Sequence, residues 1–104
     1  MMKIISMNIR GIWGYANKKY LEELIKKEQA EVVCLQETKC KEMEKESIFK
    51  MWGSNEIDWV ERGAVNNAGG MITMWRRRCL QVTNAFAEEN FCIIQGEWSV
   101  GEAT

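Results

Sequence analysis

The run Val32-Val33-Cys34-Leu35-Gln36-Glu37-Thr38-Lys39 opens with five residues of strand character, delivers a carboxylate at Glu37, and follows it with a lysine two places on. A strand end holds such a group rigidly, because hydrophobic packing behind the strand fixes the direction of the carboxylate. Upstream, Lys3-Ile4-Ile5-Ser6-Met7-Asn8-Ile9-Arg10-Gly11 also brings a strand to a polar tip, Asn8. One helix-length stretch separates the two runs. Strand, helix and strand at this spacing read as a right-handed β-α-β unit with parallel strands. Asn8 and Glu37 are therefore expected side by side at the C-terminal ends of neighbouring strands, facing one concavity. A carboxylate and an amide at a shared sheet edge suit a divalent cation and a phosphate, since hard cations take oxygen ligands.

Working outward, Asn17 reads as the N-cap of a helix running to about Glu28, with Tyr20, Leu21, Leu24 and Ile25 on one face. Glu22 with Lys26 and Glu23 with Lys27 are i,i+4 pairs in the favourable orientation. A second helix is expected from Cys40 to Trp52, with Met43, Ser47, Ile48, Met51 and Trp52 inward and Gly53 as its stop. Beyond it the period changes to two. Ile57 to Val60 is a short strand, Val65 to Gly70 a polar loop, and Met71 to Trp75 a buried strand ending in Arg76-Arg77-Arg78. Leu80 to Phe86 and Phe91 to Trp98 form an antiparallel pair around Glu88-Glu89-Asn90. Strands in meanders with flanking helices argue for a layered α/β domain of two sheets with helices outside.

At 104 residues the chain is one domain at most, with a formal net charge of −1 that neither demands nor excludes a nucleic-acid partner. No apolar run reaches membrane-spanning length, and Met1-Met2-Lys3 leads straight into a strand, so an intracellular, membrane-free protein is expected. Cys34, Cys40, Cys79 and Cys92 lack paired C-x-x-C spacing and there is no histidine, which argues against a zinc site. Cys34 and Cys92 sit in apolar strand patterns typical of buried thiols instead of a disulfide framework. Chemistry that needs an imidazole base is closed to a chain without histidine.

The first-strand run and Val33-Cys34-Leu35-Gln36-Glu37-Thr38-Lys39 resemble the endonuclease/exonuclease/phosphatase (DNase I-like) superfamily. The wording is most similar to the endonuclease domains of plant LINE-type (non-LTR) retrotransposons. There a stretch like Asn67-Ala68-Gly69-Gly70-Met71-Ile72-Thr73-Met74-Trp75 follows at a similar distance. The resemblance runs over the whole chain and about the first half of the family's domain. It implies the N-terminal half of a four-layer α/β/β/α sandwich, residues 1–104 being a partial domain that lacks its C-terminal half. It further implies Mg²⁺ or Mn²⁺ as cofactor, DNA as partner of the complete domain, and a nuclear or cytoplasmic location. Glu37 would be the metal-ligating carboxylate, Asn8 a catalytic-site residue orienting groups around metal and phosphate, and Lys39 a phosphate contact. The family's later motifs, a tyrosine, an Asp-x-Asn pair and a terminal Asp-His, do not occur here, and Arg10 stands where some nucleases carry an acid. The expectation is a fragment of a DNA-nicking phosphodiesterase that is inactive alone. A phosphatase or deadenylase fragment, and a non-catalytic remnant, are the alternatives.

Other features have plainer readings. Arg76-Arg77-Arg78 suits either DNA phosphates or a charged strand end that protects an edge. Gly69-Gly70 suits close approach to substrate or a simple turn. Of the five tryptophans, Trp13 is the best candidate for an exposed stacking surface. Met71, Ile72, Met74, Phe91, Ile93 and Ile94 are expected in or near the interface between the sheets, some of them left exposed, which predicts marginal stability.

Overall fold

The computed structural model describes residues 2–99. Strand β1 (Ile4–Asn8) runs parallel to β2 (Val32–Gln36), with Asn8 opposite Gln36, and helix α1 (Tyr15–Glu28) connects them. Helix α2 (Lys45–Trp52) leads into β3 (Ile57–Arg62) and β4 (Met71–Arg76). Strand β4 inserts antiparallel between β2 and β3, giving the order β1-β2-β4-β3. Strands β5 (Leu80–Ala87) and β6 (Cys92–Trp98) form a separate antiparallel hairpin, the second sheet. The β-α-β reading and the two-sheet α/β class agree with this architecture.

The core lies on one face of the first sheet. Register places Ile5, Val33, Met74 and Trp59 in one row and Met7, Leu35, Ile72 and Glu61 in the next. Leu21 and Ile25 of α1 and Ile48, Met51 and Trp52 of α2 close over these rows, forming one buried cluster. Ile72 and Met74 are fully buried there, so they belong to the helix-facing core and not to the space between the sheets. Phe91 and Ile93 of the hairpin do remain exposed, at 50% and 41%, as does Ile4 of β1 at 57%.

Several element boundaries differ from the sequence reading for identifiable reasons. Helix α1 starts at Tyr15, with Gly14 in the cap position and no side-chain cap. Asn17 acts as a donor instead: its amide bonds the carbonyls of Gly11 at 2.7 Å and Ile9 at 3.3 Å, tying the first turn of the helix back to the loop after β1. Tyr20 is exposed while Leu21 and Ile25 are buried, and the ion pair on α1 joins Lys19 to Glu22. Residues 40–44 stay outside α2 because tertiary hydrogen bonds occupy their backbone. Cys40 accepts from the Ala64 N–H, and the Met43 N–H donates to the Glu61 carboxylate. The arginines at the end of β4 flank an interior strand and not an edge. Arg76 donates to the Ala30 carbonyl and lies over the Trp52 ring, while Arg77 holds Asn55 and Asp58.

Candidate functional site

Beyond their formal ends β1 and β2 continue to pair: Ile9 N–H bonds the Gln36 carbonyl, Gly11 N–H that of Glu37, and Ile12 N–H that of Thr38. This pairing carries both polar tips to one edge of the sheet. The Asn8 side-chain amide donates to Glu37 Oε2 at 2.5 Å. The Asn8 Oδ1 atom in turn accepts from the Arg10 N–H at 3.0 Å, an Asx-type turn that fixes which end of the amide faces the carboxylate. Asn8 and Glu37 thus lie on adjacent parallel strands, and Glu37 also lines a cleft of about 440 Å³ between the first sheet and the hairpin, together with Ser6, Cys34, Thr73 and Phe91.

The backbone here is unusual. Arg10, Glu37 and Lys39 all take left-handed conformations, with φ near +53° to +54°. Each such non-glycine residue carries a strain of roughly 1–2 kcal/mol and persists where surrounding bonds over-determine it. At Arg10 they come from Asn8 and from the continued pairing with Gln36 and Glu37, and around Glu37 and Lys39 also from the loop before β4. Thr38 N–H donates to the Gly70 carbonyl at 3.1 Å and Lys39 N–H to that of Gly69 at 2.8 Å. A Cβ on Gly70 would lie 2.4 Å from Thr38 Oγ1, and one on Gly63 would lie 1.9 Å from the Lys41 carbonyl oxygen. Gly70 therefore permits close approach to the chain's own Thr38 turn. Asn66 and Asn67, both at positive φ, reverse the loop between a Val65–Ala68 bridge.

Lys39 lies beside the pair, and its carbonyl accepts the Trp13 indole N–H at 3.2 Å. Thr38, fully buried, is a site-forming residue that the sequence does not single out; the Gly69-Gly70 pair, which suits close approach to substrate or a simple turn, makes its approach to Thr38. Of that pair only Gly70 lacks room for a Cβ; at Gly69 it is the positive φ that favours glycine.

The donor set suits a hard cation within limits. The Asn8 oxygen accepts from the Arg10 N–H and its side-chain N–H donates to Glu37, so both ends of the amide are engaged within the site. Glu37 Oε1 has no hydrogen bond among the described residues, so this oxygen could accept a cation without losing a protein bond. One carboxylate oxygen completed by water and phosphate oxygens lies inside the coordination habits of Mg²⁺. Among the described residues no group of three or more His, Cys, Asp or Glu side chains converges on a point, and no helix is long and apolar enough to cross a membrane.

Glu61 fixes the far end of the site-forming segment. Burial is the main cause pushing its carboxyl above the usual value; nearby Glu42 adds to this and the Met43 N–H opposes it. A raised folded value means the native state holds a proton that the unfolded chain has released, so this contribution to stability is present at low pH and lost as pH rises through the folded value. As pH rises from the ordinary carboxylate range through the folded value, Glu61→Gln should therefore gain stability relative to wild type. Urea midpoints measured across that range check it; a constant difference between the two proteins would refute it.

Comparison of the sequence with protein families and with curated proteins finds no match. Solved structures do match. AP endonuclease LMAP from Leishmania major superposes with a TM-score of 0.60 at 22% identity, over 78% of this chain and 27% of that one. The catalytic domain of APE2 from Xenopus laevis gives 0.54 at 22% identity, over 81% of this chain and 26% of the other. The fold is DNase I-like. At this identity the likeness establishes the DNase I-like fold alone, and fold by itself does not carry function. The chain spans about a quarter of the length of these two structures.

Proposed function

We propose that this chain is the metal-carboxylate-bearing part of a divalent-metal-dependent DNA-nicking phosphodiesterase, of the kind carried by LINE-type retroelements, and that it is inactive alone. The observation that carries the proposal is the Asn8–Glu37 hydrogen bond at the tips of two parallel strands, beside a cleft, in a DNase I-like fold. Glu37 would hold Mg²⁺ or Mn²⁺ through the oxygen that Asn8 leaves free. The cation, when bound, supplies stabilisation of charge on phosphoryl oxygens. Asn8 keeps the carboxylate aimed, and Lys39 contributes a cation for the DNA phosphate. Activating a water also requires a base, and the chain contains no histidine to supply an imidazole. That is why activity is assigned to a larger assembly containing the remainder of the domain.

Titration of Mn²⁺ into isotope-labelled protein should broaden the backbone and side-chain resonances of Glu37 and Asn8 first. Glu37→Ala should abolish that broadening and Lys39→Ala should leave it. Broadening centred elsewhere, or unchanged in Glu37→Ala, would remove the metal assignment. In parallel, the chain with Mg²⁺ or Mn²⁺ should nick supercoiled plasmid no faster than its Glu37→Ala variant. Nicking that vanishes in that variant would show a complete catalytic site.

A further inference from the structure

We propose that the groove between α1 and α2, with Trp13 at its mouth, binds an unpaired stretch of nucleic acid. The proposal takes its ligand class from the nuclease reading above, yet it involves a surface separate from Glu37 and can fail separately. Tyr15, Lys18, Lys19, Glu22, Ser47 and Lys50 line a groove of about 310 Å³, a size at the lower end of small-ligand clefts, roughly 300–1,000 Å³. Lys19 pairs with Glu22 at 3.9 Å, which leaves Lys18 and Lys50 as the groove's uncompensated cations in a chain whose formal net charge is −1. A narrower recess lined by Ile12, Trp13, Met43 and the acidic Glu44 shares Lys18 and Ser47 with the groove, so the two form one continuous surface with a small excess of lysine over glutamate.

The aromatic residues on this surface distinguish it from an ordinary solvated charge patch. Trp13 is 64% exposed and Tyr15 80% exposed, although both rings are large and apolar. Trp13 is also held in place: its N–H is bonded to the Lys39 carbonyl, and the Lys18 ammonium sits 5.4 Å from its ring centroid. A planar ring fixed at two points and otherwise open to solvent is a stacking platform that has already lost its rotational freedom. Lysines beside such a platform match the alternation of base and phosphate along a single strand, the arrangement by which sequence-tolerant strand binders work. A duplex hides its base faces and offers nothing to Trp13. An acidic peptide would satisfy the lysines and leave the rings unused. The bond from Trp13 to the Lys39 carbonyl puts the mouth of the groove against a residue two positions along the chain from Glu37.

Fluorescence anisotropy with an end-labelled oligothymidylate tests this. The wild-type chain should bind the single strand more tightly than a duplex of equal length, and poly-glutamate should compete poorly. Trp13→Ala should weaken binding by about tenfold or more, whereas Trp13→Phe, which keeps a ring, should stay within about threefold. Lys50→Ala should lower the slope of log affinity against log salt by about 0.7. Glu37→Gln should bind the oligonucleotide as wild type does while losing Mn²⁺ broadening. Equal affinity for duplex, full competition by poly-glutamate, or an unaffected Trp13→Ala would each overturn the proposal. Should Trp13→Ala not fold, chemical-shift mapping on the wild-type chain decides: oligonucleotide-induced shifts centred on the Trp13 indole, Lys18 and Lys50 support the site, and shifts confined elsewhere refute it.

Discussion

Gly70→Ala should destabilise the chain by roughly 3 kcal/mol or more, while Gly69→Ala, one residue earlier, should cost only about 1–2 kcal/mol. Both glycines have positive φ, +74° at Gly69 and +94° at Gly70, so both substitutions incur the backbone penalty of an L-residue there. They differ in surroundings. A Cβ on Gly69 meets nothing within 4 Å, whereas one on Gly70 falls 2.4 Å from Thr38 Oγ1 and 3.3 Å from the Ala64 nitrogen. Thr38 is fully buried and its N–H is bonded to the Gly70 carbonyl, so neither partner has room to retreat without breaking that bond. Urea unfolding of the two variants measures the difference. Equal midpoints would mean that the Thr38 contact relaxes freely and that the lock on the Glu37 turn is weaker than the geometry implies. Mn²⁺ broadening at Glu37 should weaken in Gly70→Ala along with stability.

The second large effect concerns the two faces of the first sheet. Ile72→Ala should lose about 2–5 kcal/mol, the usual range for emptying a fully buried aliphatic site. Phe91→Ala should lose no more than about 1.5 kcal/mol, since the ring is half exposed and its main specific contact is an edge-on pair with Phe86. Against a net stability of about 5–15 kcal/mol, the first change alone would unfold much of a marginal protein. Thermal unfolding of both variants checks the contrast. Comparable losses would place as much of the core between the sheets as beneath the helices.

These two residues also show what is legible in the sequence. Met71 to Trp75 is apolar or small at every position, so its strand character is plain while its facing is not, because alternation is the signal that reveals facing. The structure turns Ile72 and Met74 toward the helices, and Thr73 toward the cleft. The β1-α1-β2 unit was readable because apolar runs, a helical stripe and polar tips all agree. The start of α2 was not. Segment 40–44 has helical periodicity, yet Glu61 and Ala64, distant in sequence, claim its backbone groups. Asn17 shows a similar override, a residue suited to accept at a cap being used to donate across a loop. At the candidate site, the proximity of Asn8 and Glu37 followed from strand spacing. The left-handed backbone at Arg10, Glu37 and Lys39 did not, because none of these residue types advertises a positive φ.

The bonds from Thr38 and Lys39 to the glycine pair have a consequence for when this site exists at all. Those two amides can be protected from hydrogen exchange only after the segment before β4 has docked, and β4 joins β2 only when a long intervening span of chain has closed into a loop. No local helix or turn can hold Glu37 in its left-handed pose beforehand. Solvent deuterium should therefore reach Thr38 and Lys39 by the same opening that exposes Ile72, so the orientation of the carboxylate is as durable as the central sheet, and lapses with it.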